Sequence, residues 1–290
     1  MLIHEVCECT NLTKKAVEYY TQKGLVTPLV LSNGYRDYKE EDVEVLRRIG
    51  VLRRLDLGME DIKEILRDST GGALQTAIAR KELRARHNAR KNAMLCEVAG
   101  GKPYVELEEE LQALEMKDTV GERLLDAFPG GYGRFVSMHF SRFLGEPVRT
   151  EEQQMAYETI LSFLDQMPPF EVPEDVEQEM AEAVNTISLK QIEDMIESVK
   201  HSIENPEDFL EKNQEMIEWY LSYRKSEEYK ASTAGKWMEY MKVFQSTSGY
   251  TEIFLPAMKR LSPSYAEYCF QMEQANEKLL ECYPEAEMLY

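Results

Sequence analysis

Long apolar runs are missing from this chain: no stretch approaches the roughly 18 uninterrupted apolar residues of a membrane-spanning helix, so a soluble protein is expected. Cysteine is scarce and scattered. Cys7, Cys9, Cys96, Cys269 and Cys282 are odd in number and fit neither a disulfide framework nor a CxxC metal or redox pair. Cys7 and Cys9 are the one close pair, but a single intervening residue suits few tetrahedral metal sites and no third ligand lies nearby in sequence. Reduced thiols are the reading adopted, with neither metal nor cofactor expected. The opening residues Met1-Leu2-Ile3-His4-Glu5 have no basic region followed by an apolar run, so a cytoplasmic location is expected.

Positive charge is also in short supply. Lys and Arg number 34 against 53 Asp and Glu, a net −19 that on average excludes a polyanion as partner. The average conceals an asymmetry. Residues 1 to 102 carry 18 basic against 15 acidic side chains, whereas residues 103 to 290 carry 16 against 38. Any contact with nucleic acid therefore belongs to the amino-terminal third. That third also lacks Phe and Trp, since all ten Phe and both Trp lie beyond residue 103, which places the large core in the acidic part.

At 290 residues, two folded units are a better expectation than one. Within the first, Ile3–Glu8 and the run Lys14–Lys23 read as helix, turn, helix. Asn11 suits the tight turn, Thr13 caps the second helix through its hydroxyl, and Gly24 ends it. Leu29–Tyr38 reads as two strands around Asn33-Gly34, a hairpin wing. From Glu40 a helical period places Val43, Leu46, Ile49 and Leu52 on one face, Gly58 is expected to end that helix, and Asp61–Arg67 forms a short final one. Gly71-Gly72 and Gly100-Gly101 bracket a glycine-free run, Ala73–Ala99, expected to be a helix near 40 Å long. Its heptad seam is poor. Its basic residues Arg80, Lys81, Arg84, Arg86, Arg90 and Lys91 are either a solvated face or a surface that docks on the acidic carboxy-terminal domain.

Beyond Val105 the chain is helix-like, with breaks at Pro129, Gly145-Glu146-Pro147, Pro168-Pro169, Pro173, Asn205-Pro206, Gly249 and Ser262-Pro263, giving about seven helices. No repeat and no alternating strand pattern is present. The fold class is therefore mainly α: a winged helix-turn-helix over 1–70, a linker helix over 71–103 and an all-helical domain over 104–290.

Glu5-Val6, Thr10-Asn11-Leu12-Thr13, Tyr19-Tyr20, Gly24-Leu25, the wing Asn33-Gly34-Tyr35-Arg36-Asp37-Tyr38, Asp42-Val43, Leu57-Gly58 and Ile62-Lys63-Glu64-Ile65-Leu66 occur in an order that resembles the MerR family of DNA-distorting regulators. The resemblance implies a homodimer joined through the 71–103 helix. It implies binding to double-stranded promoter DNA with an overlong spacer, which is untwisted so that RNA polymerase can engage. The residues it assigns to DNA are Thr13, Lys14, Lys15, Tyr19, Tyr20, Lys23, Tyr35, Arg36 and Tyr38. Adjacent helical residues point about 100° apart, so one of Tyr19 and Tyr20 packs inward while the other faces DNA; the sequence leaves open which. Glu18 stands where the family carries Arg, a change that repels phosphate.

The acidic carboxy-terminal part is too large for a metal loop and is read as the sensor of an organic small-molecule effector, uncharged or cationic. Candidate walls are Phe135, His139 and Phe143 on one segment, with Trp219, Tyr223, Trp237, Tyr240 and Phe244 on two others, against the alternative that these aromatics are ordinary core. A constitutive or architectural regulator whose helical domain binds another protein is the second reading. No nucleophile-base pair or phosphate loop stands out, so an enzyme is not expected.

Overall fold

The computed structural model describes all residues except Pro129, Pro169, Glu171, Thr186 and Tyr290, and only the backbone of Val184, Asn185, Leu189, Met288 and Leu289. Two of the expected breaks, Pro129 and Pro169, thus lie outside the described residues. The chain divides into two compact units, Met1–Ser69 and Thr70–Tyr290.

The first unit is built from α1 (Ile3–Thr10), α2 (Lys14–Gln22), a hairpin of β1 (Leu29–Val30) and β2 (Arg36–Asp37), α3 (Glu40–Arg54) and α4 (Met59–Arg67). Asn11 takes the left-handed conformation (φ 55°) that turns α1 into α2, and Thr13 Oγ1 accepts the Ala16 amide at 3.2 Å as the cap of α2. The hairpin pairs Leu29 with Asp37 and Val30 with Arg36, and Gly34 at φ 82° closes its tip. Val6, Val17, Val26, Val43, Leu46, Ile49 and Ile62 form the buried core. At about 1.5–3 kcal/mol per fully buried aliphatic side chain, this small core is the main source of the unit's stability.

The end of α3 differs from expectation. The helix stops at Arg54, and Asp56, not Gly58, takes the left-handed conformation (φ 61°). Gly58 is extended and instead precedes α4 as its cap residue. The Arg53 guanidinium donates to the Leu57 carbonyl at 2.6 Å, holding the loop while Leu57 enters the core.

The second unit comprises α5 (Gly72–Ala99), α6 (Tyr104–Ala127), α7 (Gly130–Ser141), α8 (Glu151–Gln166), α9 (Glu174–Asn185), α10 (Leu189–Glu204), α11 (Pro206–Lys212), α12 (Gln214–Lys225), α13 (Glu227–Ala231), α14 (Thr233–Thr247), a π-helical turn (Tyr250–Phe254), α15 (Leu255–Leu261) and α16 (Pro263–Cys282). More helices follow Val105 than the seven expected. The reason is local: Ser188, Ser226 and Ser232 each accept an amide hydrogen bond that starts a new helix without a glycine or proline marking the break.

Helix α5 packs within this unit, against α6 and α7, burying Ala77, Ala79, Leu83 and Met94. Part of its basic face is paired with acidic residues of α6: Arg80 with Asp126 at 2.6 Å, His87 with Asp118, and Arg90 with Glu110 at 2.6 Å. Glycine and hydroxyl residues set the close approach of the next helix. Ser137 Oγ donates to the Gly121 carbonyl at 3.1 Å, and a Cβ at Gly133 would lie 2.6 Å from the Phe128 carbonyl oxygen. The opposite side of α7 builds an aromatic core with α8, α14, the π-turn and α16, in which Phe128, Phe140, Phe163, Phe170, Trp237, Phe244 and Phe254 are buried.

Candidate nucleic-acid interface and effector unit

The α2 helix and the hairpin place the expected DNA residues in two groups. Thr13, Lys14, Lys15, Tyr19 and Lys23 are exposed along α2, and Tyr35 and Arg36 are exposed on the hairpin. The helix start thus combines free-facing amides, a hydroxyl and two ammonium groups, the chemistry that binds phosphate. The tyrosine pair divides as helical geometry requires. Tyr19 is 42% exposed, whereas Tyr20 is 7% exposed and meets Tyr19 edge to face at 5.6 Å. Lys23 Nζ lies 5.6 Å from the centre of the Tyr19 ring, so a phenol and an ammonium share one surface.

Two residues assigned to DNA sit in the core instead. Tyr20 packs inward, and Tyr38 is 1% exposed with its hydroxyl 3.2 Å from Thr21 Oγ1. That hydrogen bond joins the end of the hairpin to α2. The sequence reading overlooked Thr21, whose position one turn from Val17 on the inward side was its only signal. Glu18 is exposed beside Lys14, with 3.9 Å between the charged atoms, so it partly offsets a cation that would otherwise face phosphate.

The expected effector residues do not converge on one cavity. Phe143, Trp237 and Phe244 belong to the aromatic core; Trp237 contacts Tyr132 at 5.3 Å and Phe170 at 5.2 Å between ring centres. Phe135 and His139 lie along α7, stacked at 6.4 Å, with His139 also against Phe143 and Tyr268. Trp219 is 64% exposed and stacked on Tyr223 at 5.4 Å, on α12 and apart from that core. Tyr240 is exposed.

His139 and three tyrosines of the aromatic core are held neutral. Burial, then the nearby Arg142 guanidinium, lowers the His139 imidazole to about 4. Burial raises the Tyr132 phenol to about 12 and raises Tyr250 and Tyr265 as well. These four groups therefore offer neutral hydrogen bonding, beside the Arg142 guanidinium that lies over the Phe143 and Tyr268 rings. Among the described residues, no group of three His, Cys, Asp or Glu side chains is placed to hold a metal ion, and all five cysteines are free thiols. No helix among them is long and apolar enough to cross a membrane.

Comparison with known proteins bears on the first unit. The family model for MerR HTH family regulatory proteins matches residues 1–69. The HTH-type transcriptional regulator CueR of Escherichia coli O157:H7 is 37% identical over 67 residues, covering 23% of this chain and 50% of the relative. The HTH-type transcriptional regulator HmrR of Sinorhizobium medicae is 39% identical over 67 residues, covering 23% and 46%, and CueR of Vibrio cholerae is 34% identical, covering 23% and 48%. The match spans about half the length of these relatives. No solved structure matches the chain. The amino-terminal unit is a MerR-family helix-turn-helix domain, homologous to those of CueR and HmrR.

Proposed function

We infer that this chain is a transcription regulator that binds promoter DNA as a two-fold homodimer and changes its grip when the helical unit takes up an organic effector. The observation that carries the DNA half is the exposed set Thr13, Lys14, Lys15, Tyr19, Lys23, Tyr35 and Arg36 on a domain whose family match covers the same residues. Thr13 and the lysines meet phosphate at the start of α2, and Arg36 and Tyr35 reach the backbone from the wing. Tyr20 and Tyr38 fix the geometry from inside. Distortion of an overlong promoter spacer, so that RNA polymerase engages, is the mode of action in this reading.

The effector half rests on the size and charge of the helical unit. With 38 acidic against 16 basic residues beyond position 102, it repels anions and concentrates cations. A second reading, docking of another protein on the helical unit, is favoured by Trp219, Tyr220 and Met216, which α12 leaves exposed. Electrophoretic mobility shift of the full chain on a duplex selected from a random pool tests the regulator reading, and repeating it with a panel of organic cations and neutral aromatics tests the effector. Loss or gain of the shifted species with a small molecule supports a sensor. A shift indifferent to the whole panel favours the protein-docking reading.

A further inference from the structure

The buried aromatics leave little room. The crevice beside Tyr132 and Trp237 holds about 20 Å³ and that beside Phe143 and Leu144 about 10 Å³, space for one water-sized group at most. A groove between α8 and the π-turn is different. It offers about 630 Å³, within the range of small-molecule sites, and is lined by Met155, Phe163, Met167 and Ile253 with Glu158, Thr159, Ser162, Gln166 and Ser248. Its apolar atoms are thioethers, a phenyl edge and a butyl chain, its neutral polar groups are hydroxyls and an amide, and its one charged side chain is a carboxylate.

The groove wall is itself unusual. Gly249 is left-handed (φ 80°), and the chain then makes the π-helical turn Tyr250–Phe254, a conformation found mostly as isolated turns and often at functional sites. A Cβ on Gly249 would sit 3.1 Å from Ile253 and 3.6 Å from Phe163, two residues that line the groove. The turn has two faces. Ile253 is exposed to the groove, while the next residue, Phe254, is fully buried and meets Phe163 at 5.6 Å and Phe140 of α7 at 5.0 Å. Phe140 shares α7 with Arg134, whose guanidinium holds Glu82 of α5 at 2.7 and 2.9 Å. Ile253 is therefore linked to α5 through its backbone neighbour Phe254, the Phe254–Phe140 ring contact, helix α7 and the Arg134–Glu82 pair.

We propose that this α8/π-turn groove is the effector site and that its ligand is a hydrophobic organic cation, which places its apolar body against Met155, Phe163, Met167 and Ile253 and its charge near Glu158. The proposal rests on the effector reading given above. A second groove, of about 600 Å³, sets Leu210, Cys282 and Tyr283 among Glu207, Glu211, Glu218, Glu281 and Lys278, so several carboxylates rather than one face it and a multiply charged cation suits it better than a singly charged one.

Isothermal titration of the full chain with tetraphenylphosphonium and tetraphenylborate, alike in shape and opposite in charge, tests the assignment. The phosphonium is expected to bind saturably and the borate not to bind. Ser162→Trp, a substitution at an exposed position that fills the groove, should weaken phosphonium binding at least tenfold with the circular dichroism and melting temperature retained. Glu158→Gln should weaken it about fivefold, the effect of one exposed charge pair. Absence of phosphonium binding, or binding that Ser162→Trp leaves intact, overturns the groove assignment. Groove binding that leaves the DNA mobility shift unchanged would keep the site and remove the effector reading.

Discussion

Replacing Arg134 by Met removes a guanidinium that ties α7 to α5, and the structure sets the size of the effect. The Arg134 side chain is 5% exposed, and it donates through Nε and Nη2 to Glu82 and through Nη1 to the Ile187 carbonyl at 3.0 Å. Breaking a fully buried ion pair costs about 3–5 kcal/mol because the surviving charge is stranded. Glu82 is 23% exposed and regains some water, which reduces that share to about 2 kcal/mol. The unpaired Ile187 carbonyl adds about 1 kcal/mol. A loss of about 3 kcal/mol corresponds to a fall of roughly 6–12 °C in the melting temperature of a unit this size. Tryptophan emission isolates the transition, since Trp219 and Trp237 both lie in the second unit. Combining Arg134→Met with Glu82→Leu should restore most of the loss, because neither charge is then stranded. A single variant that melts within a degree of the native protein, or a double variant no better than the single, would refute the coupling assigned to this pair.

Three further outcomes follow from the same physical arguments. Burial and Arg142 hold the His139 imidazole at about 4, below its ordinary 6.5, so the unfolded chain takes up the proton first as the solution is acidified. Stability of the second unit present above about pH 6.5 is therefore lost as the pH falls toward 4, and His139→Phe should flatten that limb in melts followed across the window. Glu18→Arg should tighten DNA binding about tenfold at moderate salt, since a carboxylate beside Lys14 becomes a phosphate partner; fluorescence anisotropy with a labelled duplex measures it, and weaker binding would show that Glu18 makes a specific contact. Tyr38→Phe should cost the first unit about 1 kcal/mol in denaturant unfolding by losing its bond to Thr21, and should leave DNA affinity within about twofold.

The local features of the first unit were legible because each is decided by its own residues. Thr13 caps α2, Asn11 turns the chain, and Asn33-Gly34 closes the hairpin, all through bonds or dihedrals spanning a few positions. Which of Tyr19 and Tyr20 faces inward was not legible, because it depends on the rotational phase of α2 against α3 and the hairpin. Helix α3 ends before Gly58 for a similar reason: the chain turns at Asp56, and the Arg53 bond to Leu57 fixes the loop. In the second unit the helical class was plain, but Ser226 and Ser232 divide it where composition shows no break. The aromatic residues were identifiable as important without revealing that Trp237 and Phe244 are core while Trp219 is surface, since a stripe of rings has the same spacing in either role. The groove at Ile253 escaped notice because a π-turn has no sequence period to read.

The exposed residues of α2 and the hairpin are proposed to bind DNA in two symmetry-related copies. Selection of duplexes from a random-core pool by the full chain, run beside the Arg36→Ala variant, tests this most directly. The native chain should enrich an inverted repeat, as a two-fold dimer requires. On the selected duplex the variant should bind more weakly, with the dependence of log affinity on log salt shallower by about one unit per lost phosphate contact. No enriched repeat, or equal affinity and equal salt dependence for both proteins, would contradict the account.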